Sequence, residues 1–265
     1  MTPPLFRADA LPGQDGTVVL DGAEGRHAGS ALRVRPGETI RVGDGRGAVA
    51  DCEVTDVASG RVEARVVTLD RVPRPAPTVT VVQALPKSER SELAVELATE
   101  AGADRIVPWQ AARCVSRWSG PKLDKGRAKW VNAARAAAKQ SRRAWEPEIA
   151  EPVDAAGLIA LVTGEVADGS AVLVLHEEGA VPLARAVTGR APLDRVVLVV
   201  GPEGGVSGEE LRDLTTAGAV AVVLGPEVLR TSTAAAVALG ALGVLTSRWS
   251  DPGTTLDPSD PSTRK

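Results

Sequence analysis

Residues Val196–Ala234 read VVLVVGPEGGVSGEELRDLTTAGAVAVVLGPEVLRTSTA, and the fold class follows from them. Val196–Val200 is a continuous apolar run of the kind a strand buried on both faces requires. It stops at Gly201-Pro202-Glu203-Gly204-Gly205. Ser207 and Glu210 have the spacing of a capping box, and Leu211, Leu214 and Ala217 give the following helix an apolar stripe. Gly218 stands where a glycine ends such a helix. A second apolar run, Ala219–Leu224, leads into a second glycine loop, Gly225–Arg230. Thr231, Ser232 and Thr233 are candidate caps for a last Ala/Leu-rich helix reaching about Leu245. The pattern is strand, glycine loop, helix, twice over. In α/β folds, loops at the carboxyl ends of parallel strands are where ligands bind.

The first loop spaces its glycines as G-x-x-G-G-x-x-G, which departs from the dinucleotide fingerprint, and neither loop carries the Gly-Lys-Ser/Thr of a P-loop. Either loop alone also fits a chain that merely turns, since fold does not imply function. Together, GPEGG and LGPEVLRTSTA closely resemble the signature of SPOUT-class RNA methyltransferases, and specifically the RsmE family of 16S rRNA uridine-N3 methyltransferases. The usual family forms are GPEGG-[LF]-[ST]-x-x-E and LG-x-R-[IV]-LR-T-E-T-A, and the resemblance runs from about Phe6 to Leu245. It implies an α/β fold: a SPOUT-type parallel sheet with a C-terminal trefoil knot, plus a small N-terminal PUA-like β-barrel. Connection rules alone make any knot improbable. The resemblance also implies S-adenosylmethionine as cofactor, the 16S rRNA of the small ribosomal subunit as substrate, and a homodimer.

Composition sets the frame. The 265 residues carry 31 Lys and Arg against 34 Asp and Glu, a net charge of −3, so no global basicity announces a nucleic-acid partner. Five Trp, one Phe and no Tyr argue against an aromatic stacking platform for RNA and leave the work to backbone electrostatics and shape. Cys52 and Cys114 lie in no metal-like spacing and read as buried thiols of a cytosolic protein. No metal is expected. There is no signal-peptide pattern, and no apolar run approaches the roughly 20 residues a membrane span needs. The expectation is a soluble, cytoplasmic protein without a membrane partner.

Residues 1–72 read as a small β domain. Strand-like runs at Thr17–Leu20, Thr39–Val42, Ala48–Thr55 and Val62–Leu69 alternate with glycine turns, which suggests a small barrel. Gly25–Arg35, GRHAGSALRVR, reads as a short helix rich in Arg. Taken singly, His27 is a capping or packing histidine. The pattern H-x-x-x-[VA]-L-R-x-x-x-G, here His27 to Arg33 with Gly37, resembles the family's PUA-like RNA-binding motif. The resemblance therefore implies RNA contacts by His27 and Arg33, with Arg7 a further candidate on the same surface.

Pro73–Pro77 carries three prolines in five residues and reads as a semi-rigid linker. Beyond it, residues 78–248 read as the methyltransferase domain. Thr78–Leu85 is a buried-type strand, Glu89–Ala101 a helix with Leu93, Ala94, Leu97, Ala98 and Ala101 on one face, and Arg105–Pro108 the next strand. With Ala171–Leu175, Val196–Val200 and Ala219–Leu224, this predicts a parallel sheet of five or six strands with helices on both faces. The Pro/Asp/Ser-rich residues 249–265 read as a disordered tail.

Between Arg113 and Glu148 stand ten Lys and Arg against three acids. A solvated helix face is one reading; in an otherwise acidic chain, an RNA-facing surface is the other. Arg113, Arg117, Arg142 and Arg143, with Lys87, are the candidates for RNA contact. Lys139-Gln140-Ser141-Arg142 stands where the family shows E-Q-[SC]-x-R.

Methyl transfer from a sulfonium needs a binding site that aligns cofactor and nucleophile. By resemblance, three loops converge on the cofactor through Leu175 and His176, through Val200, Gly201, Glu203, Gly204 and Gly205, and through Leu224, Gly225, Val228, Leu229, Thr231 and Ala234. Uridine N3–H is weakly acidic, and a nearby Arg can stabilise the uridinate. Arg230 is the first candidate and Arg142 the second; Glu203 reads equally as proton acceptor or turn residue. Two positions depart from the family: Ser232 replaces a Glu and Glu227 an Arg. A ribose 2′-O methyltransferase of the same class and a catalytically impaired RNA-binding paralogue are the competing readings.

Overall fold

The computed structural model describes residues 3–87, 90–188 and 193–249. The tail expected over 249–265 lies outside the described residues from residue 250 on, as does Glu89, the expected start of a helix. The chain divides into two compact units. The first comprises the residues up to Arg74 together with Arg135–Glu146, and the second Pro75–Ala134 together with the residues from Pro147 on.

In the first unit, five strands form one mixed sheet: β1 (Leu5–Arg7), β2 (Thr17–Leu20), β3 (Thr39–Gly43), β4 (Ala48–Ala58) and β5 (Arg61–Arg71), in the order β1-β3-β4-β5-β2. Only the β1–β3 pair is parallel. Alternation drives the architecture. Ala50, Cys52 and Val54 point inward along β4 and Val62, Ala64 and Val66 along β5, so that Phe6, Leu20, Ile40 and Val42 from the other strands meet them in one core. Register shifts at Asp51/Cys52 and Val54/Asp56 bend the long hairpin. Three-residue β1 carries too little pattern to be read beforehand.

The expected Arg-rich helix over Gly25–Arg35 is a different object. An α-helical turn, α1 (Gly22–Arg26), passes into a π-helical turn, His27–Ala31, and the chain leaves at Arg33 with φ +53°. Gly25, within α1, lies against the Gly60 and Leu20 carbonyls, where a Cβ would collide.

The second unit is built on an all-parallel sheet: β6 (Thr78–Ala84), β7 (Arg105–Trp109), β8 (Glu148–Ile149), β9 (Ala171–Leu175), β10 (Val181–Pro182), β11 (Arg195–Val200) and β12 (Val220–Val223). The order is β10-β12-β9-β11-β6-β7-β8. Two-residue edge strands, β8 and β10, account for the excess over the five or six expected. β11 sits between β9 and β6, and Val196–Val200 are all buried, as a central strand covered on both faces must be. The helices are α2 (Ser91–Glu100), α3 (Pro121–Gln140), α4 (Ala155–Ala167), α5 (Leu183–Thr188), α6 (Gly208–Thr216) and α7 (Thr231–Leu245). The last six residues of α3 belong to the first unit.

After β12, the chain returns across β9, and α7 packs on β11, β6 and α2 near the middle of the sheet. The face α2 buries is shifted from the expected one: Ala94 and Ala98 are buried as expected, Val95 and Thr99 join them, and Leu93 is instead 41% exposed. α2 packs closely on the Ala-rich α7, with Leu93 turned outward and Leu97 half-buried. Beyond α7, the Arg248 guanidinium is buried against Asp104 at 2.8 Å and donates to the carbonyls of Gly102, at 2.6 Å, and Pro77. Among the described residues, no helix is long and apolar enough to cross a membrane.

Candidate active site

Strands β9, β11 and β12 deliver three loops to the same end of the sheet, and each loop is fixed by local chemistry. After β11, Gly205 N–H donates to Pro202 O at 2.9 Å and Gly205 takes φ +72°, closing a tight turn. The expected capping box follows: Ser207 Oγ accepts from Glu210 N–H at 3.2 Å, and Glu210 Oε2 from Ser207 N–H at 2.9 Å. Glu210 Oε1 also accepts from Ala112 N–H at 2.7 Å, which binds the loop to the chain after β7. After β9, His176 N–H donates to Val222 O at 3.0 Å, and His176 Nδ1 accepts from Glu178 N–H at 3.1 Å.

These loops enclose a cleft of about 500 Å³. Leu175, Val200, Val206, Val228, Leu229 and Ala234 form its apolar walls; Glu177, Glu203, Arg230 and Thr231, with Lys87 and Arg90, bring polar groups to it. A smaller adjoining recess shares Leu175, Glu177, Val228, Leu229 and Ala234 and adds His176, Leu224, Gly225 and Glu227. Of the residues expected at the cofactor, Gly204 alone lines neither space: its carbonyl accepts from Arg113 Nη1 at 3.0 Å, turned toward the neighbouring loop. Glu177 and Pro202 belong to loops expected at the cofactor; Arg90 and Val206 are cleft residues that were not among the expected contacts. Pro202 and Val206 stand within the GPEGG-[LF] signature, whereas Arg90 carries no motif signal and reaches the cleft only through its place at the start of α2.

Thr231 is buried at the first position of α7. Its hydroxyl donates to Gly201 O and accepts from Gln83 Nε2 at 3.2 Å. The expectation that Thr231, Ser232 or Thr233 caps this helix is therefore corrected. The N-cap is Arg230, without a side-chain cap bond, and Ser232 is 2% exposed inside the first turn. The Thr231 hydroxyl is drawn to the Gly201 loop rather than to its own helix.

The arginines separate. Arg230 is exposed at the cleft, and its guanidinium has no hydrogen bond or ion pair among the described residues. Arg142 is exposed, has φ +57° and belongs to the first unit. Glu203 Oε1 accepts from Lys87 N–H at 3.0 Å, so one oxygen fastens the loop. Arg113 and Arg117 are exposed but spend donors on the Gly204 and Ala112 carbonyls.

Arg7 does not fit the RNA-contact expectation. Its side chain is 15% exposed, with Nε 3.0 Å from Glu146 and Nη2 donating to Arg143 O at 2.9 Å, and burial lowers its pKa. A guanidinium so engaged is a tie within the first unit. His27 is exposed and meets the Phe6 ring edge-on at 5.9 Å, and Arg33 is exposed beside it in the chain. Cys52 and Cys114 are buried free thiols; burial pushes Cys52 up to about 11 and raises Cys114, so neither is poised as a nucleophile. Among the described residues, no group of three or more His, Cys, Asp or Glu is placed to hold a metal.

Comparison with known proteins places this geometry. Residues 73–243 match the family model of an RNA methyltransferase domain, and residues 20–67 that of an RNA methyltransferase PUA domain. The chain is 56% identical over 248 residues to ribosomal RNA small subunit methyltransferase E of Mycobacterium bovis, covering 92% of this chain and 93% of that protein. A crystal structure of the Neisseria gonorrhoeae methyltransferase E bound to S-adenosyl methionine superposes with a TM-score of 0.81 at 27% identity, over 92% of this chain and 98% of that one. A Legionella pneumophila methyltransferase with bound SAM gives 0.76 at 27% identity, over 93% and 99%. Identity at this level over nearly the full length, on the same two-part architecture, means that the chain belongs to the ribosomal RNA small subunit methyltransferase E family.

Proposed function

We propose that this chain transfers a methyl group from S-adenosylmethionine to N3 of a uridine in the 16S rRNA of the small ribosomal subunit. The observation that carries the reading is the convergence of three loops from parallel strand ends on one cleft with an arginine at its edge. The residues suit the cofactor. Leu175, Val200, Val228, Leu229 and Ala234 offer apolar walls for the adenine, and the loop backbones offer N–H and C=O groups for its edge and the ribose. The loop itself is close-packed at Gly201, where a Cβ would lie 2.9 Å from Val206 Cγ2. When bound, S-adenosylmethionine supplies an electrophilic methyl carbon.

The chain's own task is to align the uridine and manage its proton. N3–H must be lost so that the nitrogen lone pair can attack, and the charge left on the ring spreads to O2 and O4. Arg230 is placed to stabilise that charge, ahead of Arg142, because Arg230 lines the cleft. Glu203, with one oxygen held by Lys87 N–H, keeps the other as a candidate acceptor for the proton.

The protein acts as a homodimer in the cytoplasm, where its substrate is. Supporting the dimer, Val237 and Val244 stand on one face of α7 at 47% and 72% exposure, with Leu93 exposed on the adjoining α2. Val237→Glu with Val244→Glu should shift a sedimenting dimer to monomer. Mass spectrometry of rRNA nucleosides from cells lacking the gene tests the activity. Loss of 3-methyluridine is expected; its persistence would refute the assignment, and loss of a ribose-methylated nucleoside instead would point to 2′-O chemistry.

A further inference from the structure

Within the second unit, a groove of about 360 Å³ is lined by Arg117, Trp118, Lys122, Lys125 and Lys129, with Ser91 and Glu92 at one edge. Its floor is built rather than incidental. Gly126 on α3 leaves space that the Trp118 indole occupies; a Cβ there would run into the ring. The indole meets Trp130 edge-on with ring centroids 5.1 Å apart, and Trp130 Nε1 donates to Ser91 Oγ at 2.8 Å. The Trp118 backbone N–H donates to Gln110 Oε1 at 2.9 Å. The ring is thus held in place while half-buried, with its remaining surface in the groove.

The charge around it is unbalanced. Lys122, Lys125 and Lys129 follow i, i+3, i+7 spacing and share one helix face over about 10 Å of axis. Among the described residues, exposed Lys129 pairs only with the half-buried Glu92 carboxylate at 3.5 Å, a contact of little strength at an exposed ammonium. Lys122 and Lys125 make no side-chain ion pair or hydrogen bond among the described residues. Elsewhere along the basic stretch, Lys139 is held by Glu24 at 2.7 Å and Arg127 donates to the Ile149 carbonyl at 2.9 Å, while Arg135 has Glu146 at 3.6 Å, a pair as weak as that of Lys129. Lys122, Lys125 and Lys129 are all exposed and line this one groove.

The groove also adjoins the cleft. Lys87 and Arg90 line the cleft, Ser91 and Glu92 line the groove, and Ser116 Oγ beside the groove donates to Pro86 O at 2.7 Å. We propose that the groove holds the unpaired RNA strand next to the methylated uridine, its phosphates on Lys122, Lys125 and Lys129 and one base against the Trp118 indole. Aromatic contact together with a cationic track is the chemistry of single-stranded RNA binding, and one indole serves one base rather than forming a platform. This rests on the methyltransferase reading above.

The test uses the full chain and a fluorescein-labelled 20-nucleotide oligouridine. Lys122→Ala with Lys125→Ala should weaken binding about tenfold or more at physiological salt and flatten the log–log salt slope by about 1.4, at roughly 0.7 per phosphate contact on a single strand. Trp118→Leu should cost about fivefold or more in affinity. All variants should keep the thermal shift given by S-adenosylmethionine, which shows that they fold, and the lysine pair should raise KM for RNA more than it changes kcat. Wild-type affinity and salt slope in the lysine pair would overturn the groove. A protein that binds the oligonucleotide through these lysines yet leaves rRNA unmethylated would keep the groove and sink the enzymatic reading instead.

Discussion

The Thr231 hydroxyl donates to the Gly201 carbonyl, so that the first residue of α7 and the first residue after β11 are joined across 30 positions of sequence. Gln83 at the end of β6 completes the junction through its amide. The two glycine loops that enclose the cleft are therefore one braced assembly, and its brace is a hydroxyl that the sequence places among three equivalent candidates.

Thr231→Val keeps the shape and removes the hydroxyl. It leaves the Gly201 carbonyl and the Gln83 amide without this partner, a loss of about 1–3 kcal/mol by the usual cost of unsatisfied buried groups. Urea unfolding should show a lower midpoint at unchanged slope. Affinity for S-adenosylmethionine should fall as well, because the loops lose their brace. An unchanged midpoint together with unchanged affinity would show that the junction is incidental.

Gly201→Val tests the cleft itself. Its Cβ would lie 2.9 Å from Val206 Cγ2 and 3.2 Å from Val206 N, so the loop has to move. Saturating S-adenosylmethionine at about 100 times Kd should stabilise the native protein by roughly 2.7 kcal/mol. The variant should lose that shift while keeping native circular dichroism. A normal shift in the variant would place the cofactor elsewhere; no shift in the parent protein with either S-adenosylmethionine or S-adenosylhomocysteine would defeat the enzymatic assignment.

What the sequence made legible is what depends on neighbours a few residues away. The Val196–Val200 strand, the Ser207/Glu210 box and the Gly218 helix end, at φ +101°, are local patterns and stand as read. Features set by distant partners were not legible. The buried face of α2 depends on α7, more than a hundred residues later, and so Val95 is inside while Leu93 is not. Arg7 looked like an exposed cation because Glu146 and the Arg143 carbonyl, its partners, lie far along the chain. The basic stretch looked continuous, yet its cations are divided between the two units. Trp118 was hidden because only the fold brings it onto Gly126.

Arg230→Ala addresses the chemistry. If the guanidinium acts on the charge that develops in the transition state, kcat and kcat/KM should fall together, by about 10²-fold or more, with cofactor affinity near normal. Arg230→Lys should recover only part of the rate, since the planar fork is lost. A defect confined to KM for RNA would make Arg230 a phosphate contact. If Arg142→Ala reproduces the kcat loss and Arg230→Ala does not, the order of the two candidates is reversed.

Removing the N-terminal residues tests the division of labour, and the structure alters what such a cut does. Every cleft residue lies after Pro75 and outside Arg135–Glu146, so a fragment starting at about Ala76 should still bind S-adenosylmethionine. Arg135–Glu146, however, belong to the first unit. Lys139 would lose Glu24, Glu146 would lose Arg7 and the Gly45 carbonyl, and Trp145 would lose its hydrogen bond to Val72 O and the Arg74 guanidinium 4.2 Å from its ring. Stripped of these partners, the segment should fray, and trypsin should cut the fragment after Arg135, Lys139, Arg142 or Arg143 under conditions where the full chain resists. Methylation of rRNA should drop by orders of magnitude, because positioning of the substrate can be worth several kcal/mol of barrier. A trypsin-resistant fragment would show that Arg135–Glu146 stand without the first unit. Near-normal methylation would show that His27 and Arg33 do not hold the RNA.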